Sequence, residues 1–376
     1  MYLIDTFLSP FGSPMQGGAE KQLGILAASL DPARFRSLVV QLAPRGTVPM
    51  ADGTLGSARM YHLPTGKFFS PGGLRQVARI AALARRERVD IIHTFFEKAE
   101  VMGWLAGRLA GVPVWVTSRR DLGFKRKPVY DRIFSVSSRF CDSLVAVCRA
   151  VRDETVSREG FPTEKIEVIY NALEDSTLAD VTSPEGSRAD LGLPTDGPLV
   201  GMVANFNFEI KGHRYFIEAA TKVARARNDV HFILVGDGAL RADCERQTRH
   251  LGLAERIHFL GKRGDVPSIL RHLDVSVLCS TSEGLSNVIM ESMAVGKPMV
   301  ATRVGGNPEL VSDGVTGYVV PPADAAFLAE AILAVLNDPA CAETMGKAAR
   351  QASVERFSVR AMVGAHEKLY CRLLER

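Results

Sequence analysis

Short apolar runs alternate repeatedly with stretches of helical periodicity along this chain. In the first half, runs such as YLIDTF, SLVVQL and VDIIHTF alternate with AEKQLGILAASL and LRQVARIAALARRE, whose apolar residues recur at helical spacing. The alternation resumes later with PLVGMVAN, HFILVG, IHFLG, VSVLCS and KPMVAT. Such alternation is typical of parallel sheets, so the sequence predicts an α/β protein with two doubly wound domains.

Composition changes between the two halves, around residues 175–197, where Ser, Thr, Asp, Pro and Gly accumulate. Such a stretch indicates a linker. We therefore expect a first domain at residues 1–181, a linker at 182–196, a second domain at 197–357 and a closing segment at 358–376. Ligands of doubly wound sheets bind at the carboxyl ends of the strands, so a cleft bordered by those ends is the expected active site.

The length and composition are those of a globular protein, with 376 residues of which 46% are hydrophobic. No apolar run approaches the ~20 residues that a membrane-spanning helix needs. The start, MYLIDTFLSPFG, has no basic segment ahead of its apolar residues, so a signal peptide is not expected. The six cysteines form no CxxC pair, which favours free thiols in a reducing compartment. These features predict a cytoplasmic protein.

The net charge of +4 is distributed unevenly along the chain. Residues 1–150 hold 21 Lys and Arg against 11 Asp and Glu, whereas residues 151–376 hold 25 against 31. A basic first half attracts anionic lipid head groups or phosphorylated acceptors, which predicts peripheral contact with the inner face of an anionic membrane. A merely solvated basic face is the alternative. No interleaving of aromatic and basic residues indicates nucleic-acid binding.

Two glutamates stand out in SEGLSNVIMESMAVGKP, which runs from Ser282 to Pro298. Glu283 precedes a glycine-containing turn, and Glu291 lies inside an apolar stretch, where an unpaired carboxylate costs several kcal/mol. We therefore expect Glu291 to have a partner, either a ligand or a salt bridge to a neighbouring strand. A turn that opens a helix leaves backbone N–H groups for a phosphate. For Glu283, helix capping is the alternative to ligand binding.

Two further segments have features of a phosphate site. Lys211 follows a strand that ends at Asn205 and begins a helical stretch, where a phosphate would need a compact positive charge. GGAEK, from Gly17 to Lys21, places two glycines at the start of a helix, where a phosphate could approach the backbone. The alternatives are a solvated lysine and a simple glycine turn. Neither segment is a GxGxxG or P-loop pattern, so nicotinamide and ATP sites have no support.

Several stretches together resemble a known family: GGAE, VIYN before the linker, KGH, VGDG, SEGLSNVIMESMAVGKP, ATRVGGNPELVSDGVTGYVVPP and the ending RFSVRAMVGAHEKLYCRLL. The chain resembles the group-one retaining glycosyltransferases of family four, and its two glutamates match their E-x7-E motif. The resemblance implies the GT-B fold, with two Rossmann-like domains facing across a cleft. Residues 1–181 would bind the acceptor, residues 197–357 the nucleotide-sugar, and the helix in 358–376 would pack back on the N-terminal domain.

The resemblance also implies roles for individual residues. Glu283 would hold hydroxyls of the donor sugar, Glu291 would bind the ribose, and Lys211 would neutralise the diphosphate. The remaining residues on the donor side would be Gly17, Gly18, Asn205, Gly236, Lys262, Arg263, Gly284, Leu285, Ser286 and Asn287.

The chain departs from the family pattern at two places. Asn205 stands where many members have an arginine that assists the diphosphate. The segment Ser118-Arg119-Arg120-Asp121 stands where many have a histidine near the donor sugar, and we expect Arg119 to substitute for it as a catalytic residue. His93, Arg120 and Asp121 are expected on the acceptor side, although a core position is an equal alternative for His93.

The resemblance predicts a retaining transfer of a hexose-type sugar to a lipid-linked or cell-surface polysaccharide acceptor. A UDP-sugar is the first expected donor and GDP-mannose the second. The chain contains no D-x-D triplet, so we expect no metal and no cofactor. Two alternatives belong to other classes: a nucleotide-sugar 2-epimerase of the same architecture, and an inactive protein that binds sugar nucleotides.

Overall fold

The computed structural model describes residues 1–5, 18–44, 53–65, 70–124, 126–178 and 186–375. The chain divides into two compact units. The first unit combines Met1–Ala172 with Val359–Arg376, and the second unit is Leu173–Ser358.

The first unit is built on a parallel sheet with one antiparallel edge strand. Its eight strands are β1 (Tyr2–Asp5), β2 (Leu38–Pro44), β3 (Gly53–Leu55), β4 (Ala58–Thr65), β5 (Ile91–Phe95), β6 (Val114–Arg119), β7 (Ser143–Ala146) and β8 (Ile166–Val168). The strand order is β3-β4-β2-β1-β5-β6-β7-β8, and only β3 runs antiparallel to its neighbour.

Helices cover both faces of this sheet. They are α1 (Gly18–Ser29), α2 (Pro71–Arg86), α3 (Glu97–Ala110), α4 (Pro128–Ser137), α5 (Arg149–Glu159) and, at the end of the chain, a helix over Val359–Leu374. Alternate side chains of β1 enter opposite cores, as expected for a strand buried on both sides. Tyr2 and Ile4 pack in the core that includes residues of the Val359–Leu374 helix, whereas Leu3 packs in the core that includes residues of α2 and α3.

The second unit has a fully parallel six-stranded sheet. Its strands are β9 (Leu199–Val203), β10 (His231–Val235), β11 (Ile257–Gly261), β12 (Val275–Leu278), β13 (Met299–Thr302) and β14 (Gly317–Val320). The order is β11-β10-β9-β12-β13-β14, so the chain leaves β9 toward one edge and later returns to its other side at β12. This reversal is a topological switch point between β9 and β12.

The helices of the second unit again lie on both faces. They are α6 (Asp175–Leu178), α7 (His213–Ala226), α8 (Arg241–His250), α9 (Val266–His272), α10 (Asn287–Ala294), α11 (Asn307–Leu310), α12 (Ala325–Asn337) and α13 (Pro339–Arg356); the Val359–Leu374 helix of the first unit is α14. Val200 packs in one core with residues of α7 and α12, whereas Leu199 packs in the other with residues of α9.

The predicted α/β class with two doubly wound sheets is confirmed. The sequence did not predict the β3–β4 hairpin, whose turn contains Gly56 at φ +58°. The second unit begins at Leu173, ahead of the predicted linker, and the Leu173 amide donates to the Phe357 carbonyl of the same unit at 2.8 Å. The closing helix α14 belongs to the first unit, where it contacts α1.

Among the described helices, none by itself has both the length and the hydropathy of a membrane span. One pair of helices, Ala325–Asn337 and Pro339–Arg356, meets these criteria only jointly and is bent by 101°.

Candidate active site

The carboxyl edge of the second sheet carries most of the predicted donor residues. Because β9 and β12 are neighbours at the switch point, the loops that follow them, residues 204–212 and 279–286, emerge side by side. Gly212, at φ +76°, lets the two loops approach closely, since an added Cβ would collide with the Cys279 carbonyl. The Thr281 amide also donates to the Ile210 carbonyl at 2.7 Å. The sequence therefore folds these loops into one surface.

Lys211 and Glu283 meet on this surface. Lys211 Nζ lies 2.6 Å from Glu283 Oε1, and the Ser280 hydroxyl donates to the same oxygen at 2.7 Å. Both charged side chains are partly buried. Within the described part of the chain, the second carboxylate oxygen, Oε2, accepts no hydrogen bond. The structure thus brings together two predicted site residues from separate loops and leaves one carboxylate oxygen available.

Two glycines hold the Glu283 turn in place. Gly305, at φ +50°, packs so closely that an added Cβ would collide with the Glu283 carbonyl. The amide of Gly306 donates to the Gly284 carbonyl at 2.7 Å. Both glycines follow β13, the next strand of the sheet, so the segment ATRVGG positions the first glutamate.

The turn leads directly into α10. Leu285 is buried, and the Ser286 side chain caps the helix by accepting from the Ile289 amide at 3.4 Å. Gly284 and Asn287 flank these two residues, so the predicted phosphate-binding stretch spans the junction of turn and helix. The first amides of a helix lack intrahelical acceptors and lie at its positive end, which suits an anion.

Glu291 lies in the second turn of α10, and its side chain is half-buried rather than buried. The apolar residues Ile289, Met290 and Met293 occupy the buried part of the helix. Glu291 follows Asn287 by one turn, and both residues share the partly open face. The expectation that the apolar stretch buries this acid was wrong, because helical periodicity separates it from its apolar neighbours.

Loops after β9 and β10 complete this part of the edge. Gly236, at φ +138°, packs against the carbonyl of Ala204, where a Cβ would collide. Asn205 is exposed, and its side-chain oxygen accepts from the Asn207 amide at 3.2 Å. Asn205 therefore stabilises its own turn and brings no positive charge to the position where the family pattern has an arginine.

The other predicted donor contacts are less directly supported. Lys262 is exposed, and Arg263 donates to both carboxylate oxygens of Asp265, at 2.8 and 2.5 Å. Hydrogen bonding to Asp265 raises the pKa of Arg263. Gly18 is the exposed first residue of α1, and Gly17 lies outside the described residues.

His213 is a residue of this region that the sequence interpretation missed. It begins α7, two residues after Lys211, and its ring stacks on Phe206 with centroids 3.9 Å apart. Burial lowers the pKa of His213 to about 4, although the Ala204 carbonyl acts in the opposite direction. A neutral, stacked histidine therefore supports the loop that carries Lys211, and the KGH triplet was the available signal.

Arg119 is the clearest correction. It ends β6 in the first unit and is buried, and its guanidinium donates to the carboxylates of Glu100 and Glu159 and to Thr117 Oγ1. It also lies over the Phe134 ring, 4.4 Å from the centroid. Burial lowers its pKa, but the two carboxylates outweigh this effect and hold the pKa well above its ordinary value. Because its N–H donors are already engaged inside the unit, Arg119 has a structural role in place of the predicted catalytic one.

His93 is a core residue. One ring nitrogen lies 2.8 Å from the Tyr370 hydroxyl and the other 2.8 Å from the Ser118 hydroxyl. Burial, with the nearby His366, lowers the pKa of His93 well below its ordinary range. Both ring nitrogens are within hydrogen-bonding distance of hydroxyls inside the first unit. His93 therefore has the core position that was the alternative to the predicted acceptor-side role.

Arg120 and Asp121 follow β6 and are partly buried. Arg120 donates to the side-chain oxygen of Asn171, and burial lowers its pKa to about 10. Asp121 accepts from the Gly123 amide at 2.6 Å and so stabilises a local turn. Their acceptor-side roles stay predictions.

Among the residues that the structure describes, no three His, Cys, Asp or Glu side chains form a group that could hold a metal ion. The expectation of a reaction without metal or cofactor stays a prediction.

Two family models match the chain, one in each half. A model described as Glycosyltransferase Family 4 matches residues 16–176, and a model described as Glycosyl transferases group 1 matches residues 197–338.

Similar proteins from bacteria are glycosyltransferases by name. The alpha-D-kanosaminyltransferase of Streptomyces kanamyceticus is 30% identical over 78% of this chain and 80% of its own length. The Escherichia coli UDP-Gal:alpha-D-GlcNAc-diphosphoundecaprenol alpha-1,3-galactosyltransferase is 27% identical over 88% of both chains.

The fold is similar to that of solved structures. HepE of Anabaena in complex with UDP has a TM-score of 0.83 at 26% identity, and the match covers 99% of both chains. HepE in complex with UDP-glucose has a TM-score of 0.82 at 26% identity, over 98% of this chain and 99% of that one. With two parallel α/β sheets, the predicted GT-B class is confirmed. The family models and these similar proteins agree, and the chain belongs to the group 1, family 4 glycosyltransferases.

Proposed function

We propose that this glycosyltransferase moves a hexose-type sugar from a UDP-sugar to a lipid-linked or cell-surface polysaccharide acceptor, with retention of anomeric configuration. GDP-mannose is the second candidate donor. The observation that carries the proposal is the contact of Lys211 with Glu283 at the switch point of the second sheet, directly before the N-terminus of α10.

The available atoms of this pair suit a nucleotide-sugar. A lysine ammonium has three N–H donors, so Lys211 can keep its bond to Glu283 and still donate to a diphosphate. Glu283 Oε1 is occupied by Lys211 and Ser280, which leaves Oε2 to accept from sugar hydroxyls. Glu283 would thereby hold the sugar and Lys211 the diphosphate, on the two sides of the bond that joins them.

The proposed step breaks the bond between the anomeric carbon and the diphosphate oxygen, whose electron pair stays on the diphosphate. The acceptor hydroxyl oxygen forms the new bond on the same face of the sugar, and its proton goes to the departing diphosphate. Negative charge develops on the leaving group, and Lys211 with the amides at the start of α10 would stabilise it. Glu291, on the open face of α10, would bind the ribose hydroxyls.

Similar proteins support the choice of substrates. HepE of Anabaena was solved with UDP and with UDP-glucose, which favours a uridine nucleotide as the first candidate. The similar Escherichia coli enzyme is named for a diphosphoundecaprenol acceptor, which supports a lipid-linked acceptor here. We propose that the reaction needs no metal and no further cofactor.

Thermal unfolding of the protein with UDP-, GDP- and ADP-sugars identifies the donor, because a ligand that binds the native state raises its stability with concentration. We expect the largest increase with a UDP-sugar. Incubating that donor with and without undecaprenyl-diphosphate-linked saccharide, followed by proton NMR of the product, then reports transfer and anomeric configuration. An inverted product would contradict the retaining mechanism. A changed sugar in the donor without any acceptor would instead support the epimerase alternative.

A further inference from the structure

A cavity in the second unit lies at the sheet edge opposite the candidate active site. It has a volume of about 470 Å³ and is lined by residues that immediately precede three strands: Pro198 before β9, Asp274 before β12 and Pro298 before β13. Because the sheet is parallel, these amino ends lie on the side away from the loops of the donor site. Small-molecule sites have volumes of about 300–1,000 Å³, so the cavity is large enough for a ligand of its own.

The walls of this cavity are apolar and firmly held. Buried apolar side chains form part of them: Leu273, Val335 and Leu336. Helix α13 forms another side and packs tightly on the turn between α10 and β13, since a Cβ added at Gly346 would collide with the Gly296 carbonyl. The Arg350 guanidinium, also on α13, donates to the carbonyl of Ala294, the last residue of α10. The cavity is therefore preformed between two packed helices and the sheet edge.

Lys297 brings a partly buried positive charge to this cavity. It lies in the turn between α10 and β13 and lines the cavity. Among the residues that the structure describes, its ammonium has no hydrogen-bond or ion-pair partner. Burial lowers the pKa of Lys297, although the charge of Asp274 acts in the opposite direction. Because a partly desolvated cation without a partner is unfavourable, an anion at this position would be stabilising.

Two further cations line the cavity besides Arg350, and both are paired with acids. Arg227 donates to the two carboxylate oxygens of Asp229, at 3.1 and 2.6 Å. Lys347 Nζ lies 2.6 Å from Glu343 Oε1. The charges of these two cations are therefore balanced within the unit.

Asp274 lines the same cavity, but its carboxylate is engaged by other groups. Its Oδ2 accepts from the Leu199 amide at 2.7 Å and lies 3.6 Å from a guanidinium nitrogen of Arg188. In the described part of the chain, Asp274 forms no ion pair with Lys297. An anionic ligand would give Lys297 the partner that Asp274 does not supply.

We propose that this cavity, which we call the Lys297 cavity, binds a small organic anion. The carboxylate or phosphate of the ligand would pair with Lys297, and its apolar body would lie against the buried apolar wall. A charge-assisted hydrogen bond is strong where water is partly excluded, and an apolar wall favours an organic ligand over a free inorganic anion. The inference does not depend on the proposed transfer reaction, since the Lys297 cavity lies at the other edge of the sheet.

Calorimetric titration of the full chain with four probes tests the proposal. 4-Phenylbutyrate and phenyl phosphate combine an anion with an apolar body, whereas 4-phenylbutanol lacks the anion and inorganic phosphate lacks the body. We expect each organic anion to bind about tenfold or more tightly than its incomplete counterpart, and the tighter of the two identifies the preferred anionic group. Failure of the unmodified protein to bind either organic anion would overturn the proposal.

Substitutions of Lys297 then locate the binding. Lys297→Met keeps the aliphatic chain but removes the charge, and it should weaken both organic anions about tenfold or more. Lys297→Arg keeps the charge and should bind them within about threefold of the unmodified protein, less than the loss of one charged hydrogen bond. Unchanged binding by Lys297→Met would contradict the proposal.

Two other lysines provide matched controls. Lys222→Met removes the same charge from an exposed position of α7, and Lys211→Ala removes the cation of the candidate active site. Both variants should bind the organic anions as the unmodified protein does. Equal losses in Lys222→Met and Lys297→Met would overturn the proposal. Loss in Lys211→Ala alone would place the binding at the candidate active site and would also overturn it.

Chemical labelling of the unmodified protein gives a test that needs no variant. Acetylation by N-hydroxysuccinimidyl acetate, followed by peptide mass spectrometry, reports the access of reagent to each lysine. At about ten times its Kd, 4-phenylbutyrate should slow acetylation of Lys297 about tenfold and leave that of Lys222 unchanged. Equal rates at Lys297 with and without 4-phenylbutyrate would overturn the proposal. None of these readouts measures sugar transfer, so their failure leaves the proposed function standing.

Discussion

Lys211 and Glu283 neutralise each other in the free protein, yet each keeps hydrogen-bonding atoms for a ligand: the remaining N–H donors of Lys211 and Oε2 of Glu283. Desolvation offsets much of the attraction within a partly buried ion pair, so the pair is weak evidence for stability and its charges are better explained by ligand binding. The E-x7-E resemblance and the KGH stretch predicted the two residues separately. The sequence did not predict their contact, because it depends on the adjacency of β9 and β12 in the sheet.

Replacing Lys211 tests its role at the diphosphate. We expect Lys211→Ala to lower kcat about 100-fold or more, because the developing charge on the leaving group loses its positive partner. The unfolding temperature should change little. Initial rates of nucleotide release and thermal unfolding measure the two effects, with Lys222→Ala, an exposed lysine of α7, as the control. Loss of one transition-state contact lowers kcat by more than about threefold. A kcat within about threefold of the unmodified value would therefore show that Lys211 does not stabilise the leaving group.

Arg119 shows which residue roles could not be predicted. Its two carboxylate partners come from α3 and α5, far from it in sequence, and no local pattern identifies them. Successive side chains along a strand lie on opposite faces, so the surroundings of Arg119 depend on which residue ends β6. The sequence does not locate this end to one residue. The sequence therefore identified a basic segment but not which arginine is internally neutralised.

At the scale of elements, most strands could be predicted because buried parallel strands are continuous apolar runs. The β3–β4 hairpin was missed because β3 has only three residues and its turn has no strong hairpin signal. The position of Glu291 was misjudged for another reason. Its sequence neighbours are apolar, but α10 turns them toward the core and leaves Glu291 with Asn287 on the open face.

The segment after β13 controls the Glu283 turn, and two glycines allow a matched test. We expect Gly305→Ala to weaken donor binding about tenfold or more, because the added Cβ collides with the Glu283 carbonyl and displaces the turn. Gly314→Ala is the control. Gly314 also has a left-handed backbone, with φ +73° against +50° for Gly305, but a Cβ added at Gly314 would meet no atom within 4 Å. Both variants carry a similar cost of about 1–2 kcal/mol for a left-handed backbone. Calorimetric titration with the donor nucleotide compares them, and equal losses in the two variants would dismiss this role of Gly305.

At the scale of the whole molecule, each unit contains a buried histidine that stays neutral. Burial lowers the pKa of His213 in the second unit, and of His366 in the first, from 6.5 to about 4. Between these values the unfolded chain binds protons that the folded chain does not, so the free energy of unfolding falls as pH falls from about 6.5 to about 4. Each histidine contributes at most about 3 kcal/mol to this decrease.

Chemical denaturation at several pH values, for the unmodified protein and for His213→Gln and His366→Gln, measures this effect. Each variant should show a smaller loss of stability between pH 6.5 and about pH 4 than the unmodified protein, because it lacks one group that must be kept neutral. Identical pH dependence in all three proteins would show that these histidines do not titrate with the expected shift.

We propose that Glu283 and Glu291 are separate anchors for one nucleotide-sugar, Glu283 at its sugar and Glu291 at its ribose. Calorimetric titration of UDP and of UDP-glucose into the unmodified protein, Glu283→Gln and Glu291→Gln tests it directly. We predict that Glu291→Gln weakens both ligands about tenfold or more, since each contains the ribose, whereas Glu283→Gln weakens UDP-glucose more strongly than UDP, which lacks the sugar. Equal effects of both substitutions on both ligands, or no effect of either, would contradict this account of the site.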